Sequence, residues 1–385
     1  MTEVAVVAFA QAPNVRRTHG TTNGVEMLVP IFDEVYTRTG LTKKDIGFWC
    51  SGSSDYLAGR AFSFISAIDA IGAFPPIHES HVEMDAAWAL YEAWLKIRMG
   101  EVDTALVYGF GKSSAGELRR VLSLQLDPYT VAPLWPDAVS IAALQARAGL
   151  DAGLWSEKDL AEIAVRSRRD AATSPRAQIS GEADVATLLA DEPIADPLRA
   201  HDIAPVTDGA AVVVLASADR ARDLADRPAV ITGIDHRIDT PALGARDLTR
   251  SPSTRLAGEA VGTAGVEVAE LHTPFTHQEL IVRGELGLGD DVRITPSGGA
   301  LTGNPMFAAG LARIGEAPQR ILDGDARRTR YWAPDRPTTA ANAPTCPCRA
   351  CCVRRSTAPW PTRRWAGPTS TPSWSARRPT CSRAS

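Results

Sequence analysis

Cysteine is nearly absent from the first 345 residues, where Cys50 is the only one of the chain's six cysteines. A single thiol cannot form an internal disulfide, and such cysteine usage is typical of a reducing compartment. The sequence has no run of about 18 apolar residues, so we expect no membrane-spanning helix. Its first residues lack the basic, apolar and small-residue order of a signal peptide. Together these absences predict a cytoplasmic protein.

A strong charge of one sign is also missing. The 41 Lys and Arg residues stand against 45 Asp and Glu residues, which gives a formal net charge of −4. No basic stripe occurs in the first 330 residues, so nucleic acid is not an expected partner. No GxxxxGK[ST] or GxGxxG motif follows a strand, which argues against mononucleotide hydrolysis and NAD binding.

Short apolar runs alternate with amphipathic segments along most of the chain. Strands are predicted at 4–9, 46–50, 104–108, 210–215, 229–234, 266–271 and 291–295. Helices are predicted at 24–38, 59–72, 84–99, 137–149, 156–174, 183–190, 217–225, 277–287 and 303–315. This alternation is typical of a layered α/β fold, and the hydrophobic content of 44% is ample for its core.

The strand–helix rhythm is interrupted once and then resumes. Residues 115–200 contain mostly predicted helices, and we interpret them as an insertion that caps the sheet. The rhythm before and after it predicts two similar halves, 1–226 and 227–330.

The tail from 336 to 385 differs in kind. It contains no Leu, Ile, Phe, Tyr, Lys, Asp, Glu, His, Gln or Met, so it cannot present a periodic apolar face and we expect disorder. Its composition also resembles an out-of-frame reading of a GC-rich gene. Four of its cysteines could bind zinc, but paired CxxC motifs are absent and we predict no metal site. These four are Cys346, Cys348, Cys351 and Cys352.

Two polar side chains stand at junctions between predicted elements. His272 ends a strand, and Asn304 lies in a glycine-containing turn before a helix. Backbone N–H groups are unpaired at a helix N-terminus, so such a junction is a common place for an oxyanion site.

Four motifs in order resemble segments of the thiolase superfamily. They resemble most closely the sterol-carrier-protein-x type thiolases and the related actinobacterial lipid-transfer proteins. Residues 270–275 (ELHTPF) resemble the ELHDCF segment of that family, and 296–299 (PSGG) with 303–305 (GNP) resemble its PSGG…GHP segment. The other two motifs are 100–112 and 196–198 with 208–211. The resemblance that they carry extends over residues 1–325.

The resemblance implies a five-layer α-β-α-β-α fold of two similar βαβαβαββ halves. It also implies a homodimer and a coenzyme A thioester as substrate, with no bound cofactor. The implied chemistry makes or breaks a C–C bond beside the thioester. A thiolase requires a cysteine at the N-terminus of a buried helix, a histidine that activates it, a second cysteine and an oxyanion hole.

The sequence departs from this requirement at three positions. The nucleophile position falls near Glu83, where no cysteine occurs, and Asn304 replaces the histidine of the GHP segment. The C-terminal loop that carries the second cysteine in the family is replaced or lost here, because the unusual tail stands in its place. Of the catalytic residues of the family, only His272 is retained.

The catalytic candidates are therefore His272, Asn304 and Glu83. By resemblance, His272 orients a water or binds the thioester oxygen; it could also be an ordinary hydrogen-bonded residue. Asn304 could donate its amide to the same oxygen, cap a helix starting at Pro305, or do both. Glu83 could be a buried base or a solvated neighbour of Asp85, which is itself a candidate N-cap.

The remaining candidates concern the substrate. A glycine-rich segment could form a tight turn and, by resemblance, lie beneath the CoA thioester; its members are Ser297, Gly298, Gly299 and Gly303. His277 and Glu279 are expected on a helix face turned to solvent. Cys50 is interpreted as a packed, inert thiol.

These residues favour one function and leave an alternative open. The first, by resemblance, is an enzyme of the acyltransferase family that acts in sterol or other lipid catabolism. It would cleave C–C bonds by retro-aldol chemistry, because no cysteine nucleophile is present. The alternative is a non-catalytic acyl-CoA carrier or scaffold. The resemblance also implies a small OB-fold, zinc-ribbon protein as a possible partner for either function.

Overall fold

The computed structural model describes residues 1–19, 23–58, 62–332 and 338–342. Its strands are β1 (Val4–Gln11), β2 (Phe48–Gly52), β3 (Glu79–Val82), β4 (Thr104–Lys112), β5 (Val206–Ser217), β6 (Ala229–Asp235), β7 (Val268–Leu271), β8 (Arg293–Ile294), β9 (Asn304–Pro305), β10 (Arg328–Trp332) and β11 (Thr338–Asn342).

The longer helices fall between these strands. They are α1 (Gly24–Thr39), α2 (Asp55–Ala58), α3 (Ser63–Ile71), α4 (Ala86–Arg98), α5 (Leu118–Leu124), α6 (Ala138–Asp151), α7 (Glu157–Asp170), α8 (Val185–Leu189), α9 (Ala218–Leu224), α10 (Pro252–Val261), α11 (Thr276–Leu286) and α12 (Ala309–Leu322).

Ten of these strands form one mixed sheet in the order β3-β2-β4-β5-β1-β6-β11-β10-β7-β8, and β9 pairs with β5 beside it. In one half, β2 lies parallel to β3 and β4, and β5 is antiparallel to β4 and β1. The other half repeats this pattern, with β7 parallel to β8 and β10, and β11 antiparallel to β10 and β6. The predicted two-half α/β fold is confirmed.

Alternate residues of the central strands face two different helical layers. On β1, Val4 and Val6 belong to the core that includes α4 and α12, whereas Ala5 and Val7 belong to the core that includes α1 and α3. Successive side chains of a strand point to opposite faces, so a strand buried on both faces needs a continuous apolar run. Helices α4 and α12 therefore lie on one face of the sheet and α1 on the other.

The predicted insertion is largely helical, and it packs on the second half. Leu160 of α7 shares a small core with Ile281 of α11. Arg166 of α7 makes a two-pronged ion pair with Glu279 of α11, with N–O distances of 2.7 and 2.5 Å. Both His277 and Glu279 are buried, so the expectation that they face solvent is wrong.

Three predicted boundaries need correction. Strand β4 continues past residue 108 to Lys112, because it pairs with β5 as far as Asp208. The helix predicted at 303–315 begins only at Ala309, since Asn304 and Pro305 pair with β5. Strand β11 lies inside the tail predicted as disordered from 336.

Strand β11 pairs with both β6 and β10, which explains why a segment poor in apolar residues is held in the sheet. The rest of the predicted tail lies outside the described residues, as do its cysteines. Among the described residues, no helix is long and apolar enough to cross a membrane.

Candidate functional site

The N-termini of the two central helices meet at one buried carboxylate. Asp85 precedes α4, and its Oδ1 accepts a hydrogen bond from the N–H of Ala87 at 2.9 Å. Its Oδ2 accepts from the N–H of Gly310, at the start of α12, at 3.0 Å. Asp85 therefore caps both helices, which confirms the interpretation of this residue as an N-cap. The place where a thiol would be activated is occupied by a carboxylate that is already hydrogen-bonded.

Glu83 lies outside this buried junction. Its side chain is 54% exposed, and its Oε1 accepts from the N–H of Asp55 at 3.0 Å. Its Oε2 lies 3.4 Å from Nε2 of His81. The interpretation of Glu83 as a buried base is wrong, because β3 is an edge strand and its end carries Glu83 to the surface.

A tightly packed segment from Gly303 to Phe307 crosses the ends of β4 and β5. The carbonyl oxygen of Phe307 accepts from the N–H of Ala86 at 2.9 Å, which joins the segment to α4. A Cβ added at Gly111 would lie 2.0 Å from the carbonyl oxygen of Met306. Glycine is therefore required where this segment approaches β4, and the segment that carries Asn304 is joined to the helix junction through Phe307.

Asn304 is buried, and the structure shows that it does not cap a helix. Its N–H donates to Oγ1 of Thr207 at 2.8 Å, and its Nδ2 approaches the Met306 sulfur at 4.0 Å. A sulfur at that distance is a weak acceptor. The side-chain Oδ1 has no hydrogen-bond partner among the described residues. The side-chain amide thus has no strong partner among the described residues, and the cap interpretation fails because the next helix starts five residues later.

His272 follows the last residue of β7 and is buried. Its N–H donates to the carbonyl oxygen of Trp332 on β10 at 2.9 Å. The parallel pairing of β7 with β10 fixes His272 at the carboxyl end of the sheet. Side chains at such strand ends commonly build active sites in α/β proteins.

The predicted glycine-rich turn is held by a residue that the sequence analysis did not single out. The carboxylate of Glu270 accepts from the N–H of Ser297 at 3.1 Å and from its Oγ at 2.7 Å. Gly298 and Gly299 have φ angles of 86° and 68°, which require glycine for an unstrained backbone. Glu270 therefore links the turn to the strand that carries His272.

The environment of Glu270 is unusual for a carboxylate. The side chain is fully buried, and this burial raises its pKa to about 7, although the nearby Arg313 guanidinium acts in the opposite direction. The Nη1 atom of Arg313 lies 3.7 Å from Oε2 of Glu270 and also donates to Ser297. A charged residue within the apolar strand Val268–Leu271 is the signal that could have identified it.

Cys50, the only cysteine in the described part of the chain, lies away from the helix N-terminus. It is fully buried on β2, and its sulfur lies 3.7 Å from Oε2 of Glu92. Burial raises the pKa of this thiol, and the Glu92 carboxylate raises it further. This environment agrees with a packed, inert thiol.

The predicted substrate-binding residues and Asn304 lie on one continuous segment, 295–307, which contacts both β7 and α4. This segment carries Ser297, Gly298, Gly299, Gly303 and Asn304. It contacts β7 at one end, where the N–H of Thr295 donates to the carbonyl oxygen of Ala269 at 2.7 Å. At its other end it contacts α4. Two predicted site residues lie off this segment: His272, which follows β7, and Glu83, which is exposed.

Comparisons with known proteins give relatives but no matching family model. The acetyl-CoA acetyltransferase of Methanothermobacter thermautotrophicus is 29% identical over 218 residues, covering 48% of this chain and 57% of that protein. The 17-hydroxy-3-oxo-4-pregnene-20-carboxyl-CoA lyase of Mycobacterium tuberculosis is 31% identical over 144 residues, covering 34% and 37%. The chain thus spans about half the length, or less, of these curated relatives.

A solved structure agrees with the described fold. The Ltp2-ChsH2(DUF35) aldolase superposes with a TM-score of 0.72 at 18% identity, covering 89% of this chain and 98% of that one. At this identity the likeness establishes the fold. The chain has the thiolase-like fold, and it is homologous to proteins of the thiolase superfamily.

Proposed function

We propose that the chain binds an acyl-CoA thioester and cleaves a C–C bond beside it by a retro-aldol reaction, without a covalent acyl-enzyme. The observation that carries this proposal is the occupied helix junction, where Asp85 caps both α4 and α12. A thiolase would need a thiolate there, and the described residues offer only the buried Cys50.

The proposed reaction requires a base and an oxyanion site. A base removes the proton of the β-hydroxyl group, the Cα–Cβ bond breaks, and its electrons form the thioester enolate. The enolate carbon is then protonated, which releases a carbonyl compound and a shortened thioester. The amide Nδ2 of Asn304 is suited to donate to the enolate oxygen, since its only acceptor among the described residues is a distant sulfur.

The base is assigned by elimination among the predicted residues. Glu83 is exposed, and both oxygens of Glu270 accept hydrogen bonds from Ser297. Of the predicted catalytic residues, His272 is the one that remains, because the amide of Asn304 is not basic and a histidine is in general well suited to proton transfer near neutral pH. We therefore assign the proton transfer to His272. Bulky lipid-derived acyl groups are the proposed substrates, as the name of the lyase relative suggests.

Paired substrates test this function. The purified protein is offered a β-hydroxyacyl-CoA without free CoA and the matching β-ketoacyl-CoA with free CoA. Cleavage of the hydroxy compound alone is the expected result, because retro-aldol cleavage needs no second thiol. Cleavage of only the keto compound, dependent on CoA, would show thiolysis and contradict the proposal.

Substitution of Asn304 tests the oxyanion site. We expect Asn304→Ala to lower kcat/KM for the hydroxy substrate by about 100-fold, which is typical for loss of one oxyanion donor. The backbone N–H that donates to Thr207 is retained in this variant. Cys50→Ala serves as the matched control, because a buried, inert thiol should leave kcat/KM within about twofold.

A second candidate function is a non-catalytic acyl-CoA carrier or scaffold with a small OB-fold, zinc-ribbon partner. The name of the Ltp2-ChsH2(DUF35) aldolase joins two components, which supports the proposal that this chain also has a partner. Binding of a CoA thioester without turnover, alone and with such a partner, would support the carrier. The homodimer and the cytoplasmic location stay predictions from the sequence.

A further inference from the structure

A large cavity with a basic lining opens beside the candidate site. Its volume is about 770 Å³. Its lining includes Arg16, Arg17, Arg119, Arg120, Ser113 and Val206. The arginines come from two separate segments of the chain, one that follows β1 and one that follows β4.

One buried carboxylate holds both segments in place. Asp208 on β5 accepts from the N–H of Thr18 at 2.8 Å, beside Arg16 and Arg17. It also accepts from the N–H of Ser114 at 3.0 Å and from its Oγ at 2.7 Å. The walls of the cavity are therefore built by side-chain hydrogen bonds to a fixed point on the sheet.

The lining keeps an excess of positive charge. Arg119 is paired with Asp137 at 3.3 Å, and Arg17 donates to the carbonyl oxygen of Ser114 at 3.0 Å. Within the described chain, Arg16 and Arg120 have no carboxylate within ion-pair distance. The opposing charges at the cavity are the carboxylate of Glu117 on its lining and that of Asp208 beneath it.

A neutral donor at the same cavity also lacks a partner. The Oγ atom of Ser113 is buried and makes no hydrogen bond within the described residues. A buried hydroxyl without a partner is uncommon in proteins. Together with the two arginines it offers an anion both charge and hydrogen-bond donors.

The cavity lies close to the reacting end of the proposed substrate. Val206, which lines it, pairs directly with Asn304 in the β5–β9 ladder. The phosphates of coenzyme A are separated from the thioester by the long pantetheine arm, so the acyl group is the part of the substrate beside Asn304. Leu118 and Val206 add apolar surface, which suits the body of an acyl chain.

We propose that this cavity receives the acyl group of the substrate and that this acyl group carries a carboxylate, which Arg16 and Arg120 bind. The inference deepens the proposed function, since it assumes that the ligand is an acyl-CoA. Among lipid-derived acyl groups, the protein thereby selects those that carry a carboxylate over uncharged ones of the same length.

Binding of two matched thioesters tests this inference. Calorimetric titration compares adipoyl-CoA with hexanoyl-CoA, which differ only in the terminal carboxylate. We expect the wild-type protein to bind adipoyl-CoA at least about 10-fold more tightly, as for a charge-assisted hydrogen bond. The variant Arg16→Gln/Arg120→Gln should lose this preference and keep its affinity for hexanoyl-CoA.

A control variant distinguishes the effect of Arg16 and Arg120 on binding from the effect of the protein's net charge. The variant Arg222→Gln/Arg255→Gln removes two exposed arginines from α9 and α10 and should keep the full preference. Titration with coenzyme A and dephospho-coenzyme A is the second control. If the Arg16/Arg120 variant loses affinity for these compounds, the cavity binds phosphate and the inference is wrong.

The possible outcomes distinguish the inference from the proposed function. Equal wild-type affinity for both thioesters overturns the inference alone, because thioester binding then still supports the function. A preference that survives in the Arg16/Arg120 variant overturns the assignment to this cavity. Failure of both thioesters to bind contradicts the inference and the function together.

Discussion

At the scale of single residues, three carboxylates determine how the described site is organised. Asp85 caps two helices, Glu270 holds the glycine-rich turn, and Asp208 joins the segments around the basic cavity. All three are buried and accept hydrogen bonds. An apolar residue at any of these positions would leave the donors without an acceptor. His272 and Asn304 are the residues to which we assign the proposed chemistry.

Removal of the double cap should destabilise the protein. We expect Asp85→Ala to lower the free energy of unfolding by about 3 kcal/mol, since two helix N-termini lose their acceptor in a buried place. Urea denaturation followed by circular dichroism measures the change. Asp219→Ala, which alters an exposed carboxylate in the first turn of α9, should change stability by less than about 0.5 kcal/mol. Equal effects of the two substitutions would contradict the role of Asp85.

Glu270 should make stability depend on pH. Its pKa in the folded protein is raised to about 7 from the ordinary 4.5, so the folded state binds more protons than the unfolded state between these values. The contribution of Glu270 to stability is therefore fully present below about pH 4.5 and is lost as the pH rises through about 7.

Substitution of Glu270 isolates this effect. We expect Glu270→Gln to show a smaller fall in the free energy of unfolding between pH 5 and 8 than the wild-type protein, because its side chain does not ionise. Urea titrations at both pH values measure it, and Glu259→Gln on the exposed face of α10 is the control. An unchanged pH dependence in Glu270→Gln would show that another group is responsible.

Some of these single-residue roles are predictable from the residue type and its position in the sequence. Asp85 before an apolar helix was identified as a cap, because Asp at that position has a local meaning. The same stretch did not reveal that Glu83 is exposed, since exposure depends on β3 lying at the sheet edge. Glu270 was missed because its partner, Ser297, is distant in sequence and nothing local marks the pair.

At the scale of elements, the insertion is joined to the second half through the α7–α11 contact. Arg166 and Glu279 form its ion pair, and the Glu279 side chain is buried. Neutralising Glu279 leaves the Arg166 guanidinium with Asp170, 3.9 Å away, as its remaining counter-charge. We expect Glu279→Gln to lower the free energy of unfolding by about 3 kcal/mol.

Replacement of both partners should recover most of this loss. The variant Arg166→Met/Glu279→Leu removes both charges and is expected to lie within about 1 kcal/mol of the wild-type protein. A double-mutant cycle in urea measures the coupling between the two residues. If the single and double variants are equally destabilised, the contact is not governed by the ion pair.

The elements illustrate what periodicity reveals and what it does not. Apolar runs such as Val4–Gln11 and the amphipathic α1 were predictable, because their patterns are local. The start of α12 was predicted too early because Asn304 and Pro305 pair with β5, which is nearly 100 residues away. Such long-range pairing overrides the local propensity for a helix.

At the scale of the whole molecule, the same pattern of strand pairing occurs in both halves of the sheet, which meet where β1 pairs with β6. The central helices α4 and α12 begin close together on one face of this sheet, because the same carboxylate caps both. The fold thus brings the N-termini of α4 and α12 together, and the carboxylate of Asp85 lies between them. The absence of a thiolate there is the central claim about function.

The most direct test of this claim is the intact mass of the protein after incubation with its thioester. The wild-type protein is mixed with a β-hydroxyacyl-CoA, quenched in acid during turnover and analysed by mass spectrometry. If no covalent acyl-enzyme forms, the thioester is cleaved and the mass of the protein stays unchanged. A protein mass increased by that of the acyl group would demonstrate a covalent acyl-enzyme and would contradict the proposed mechanism.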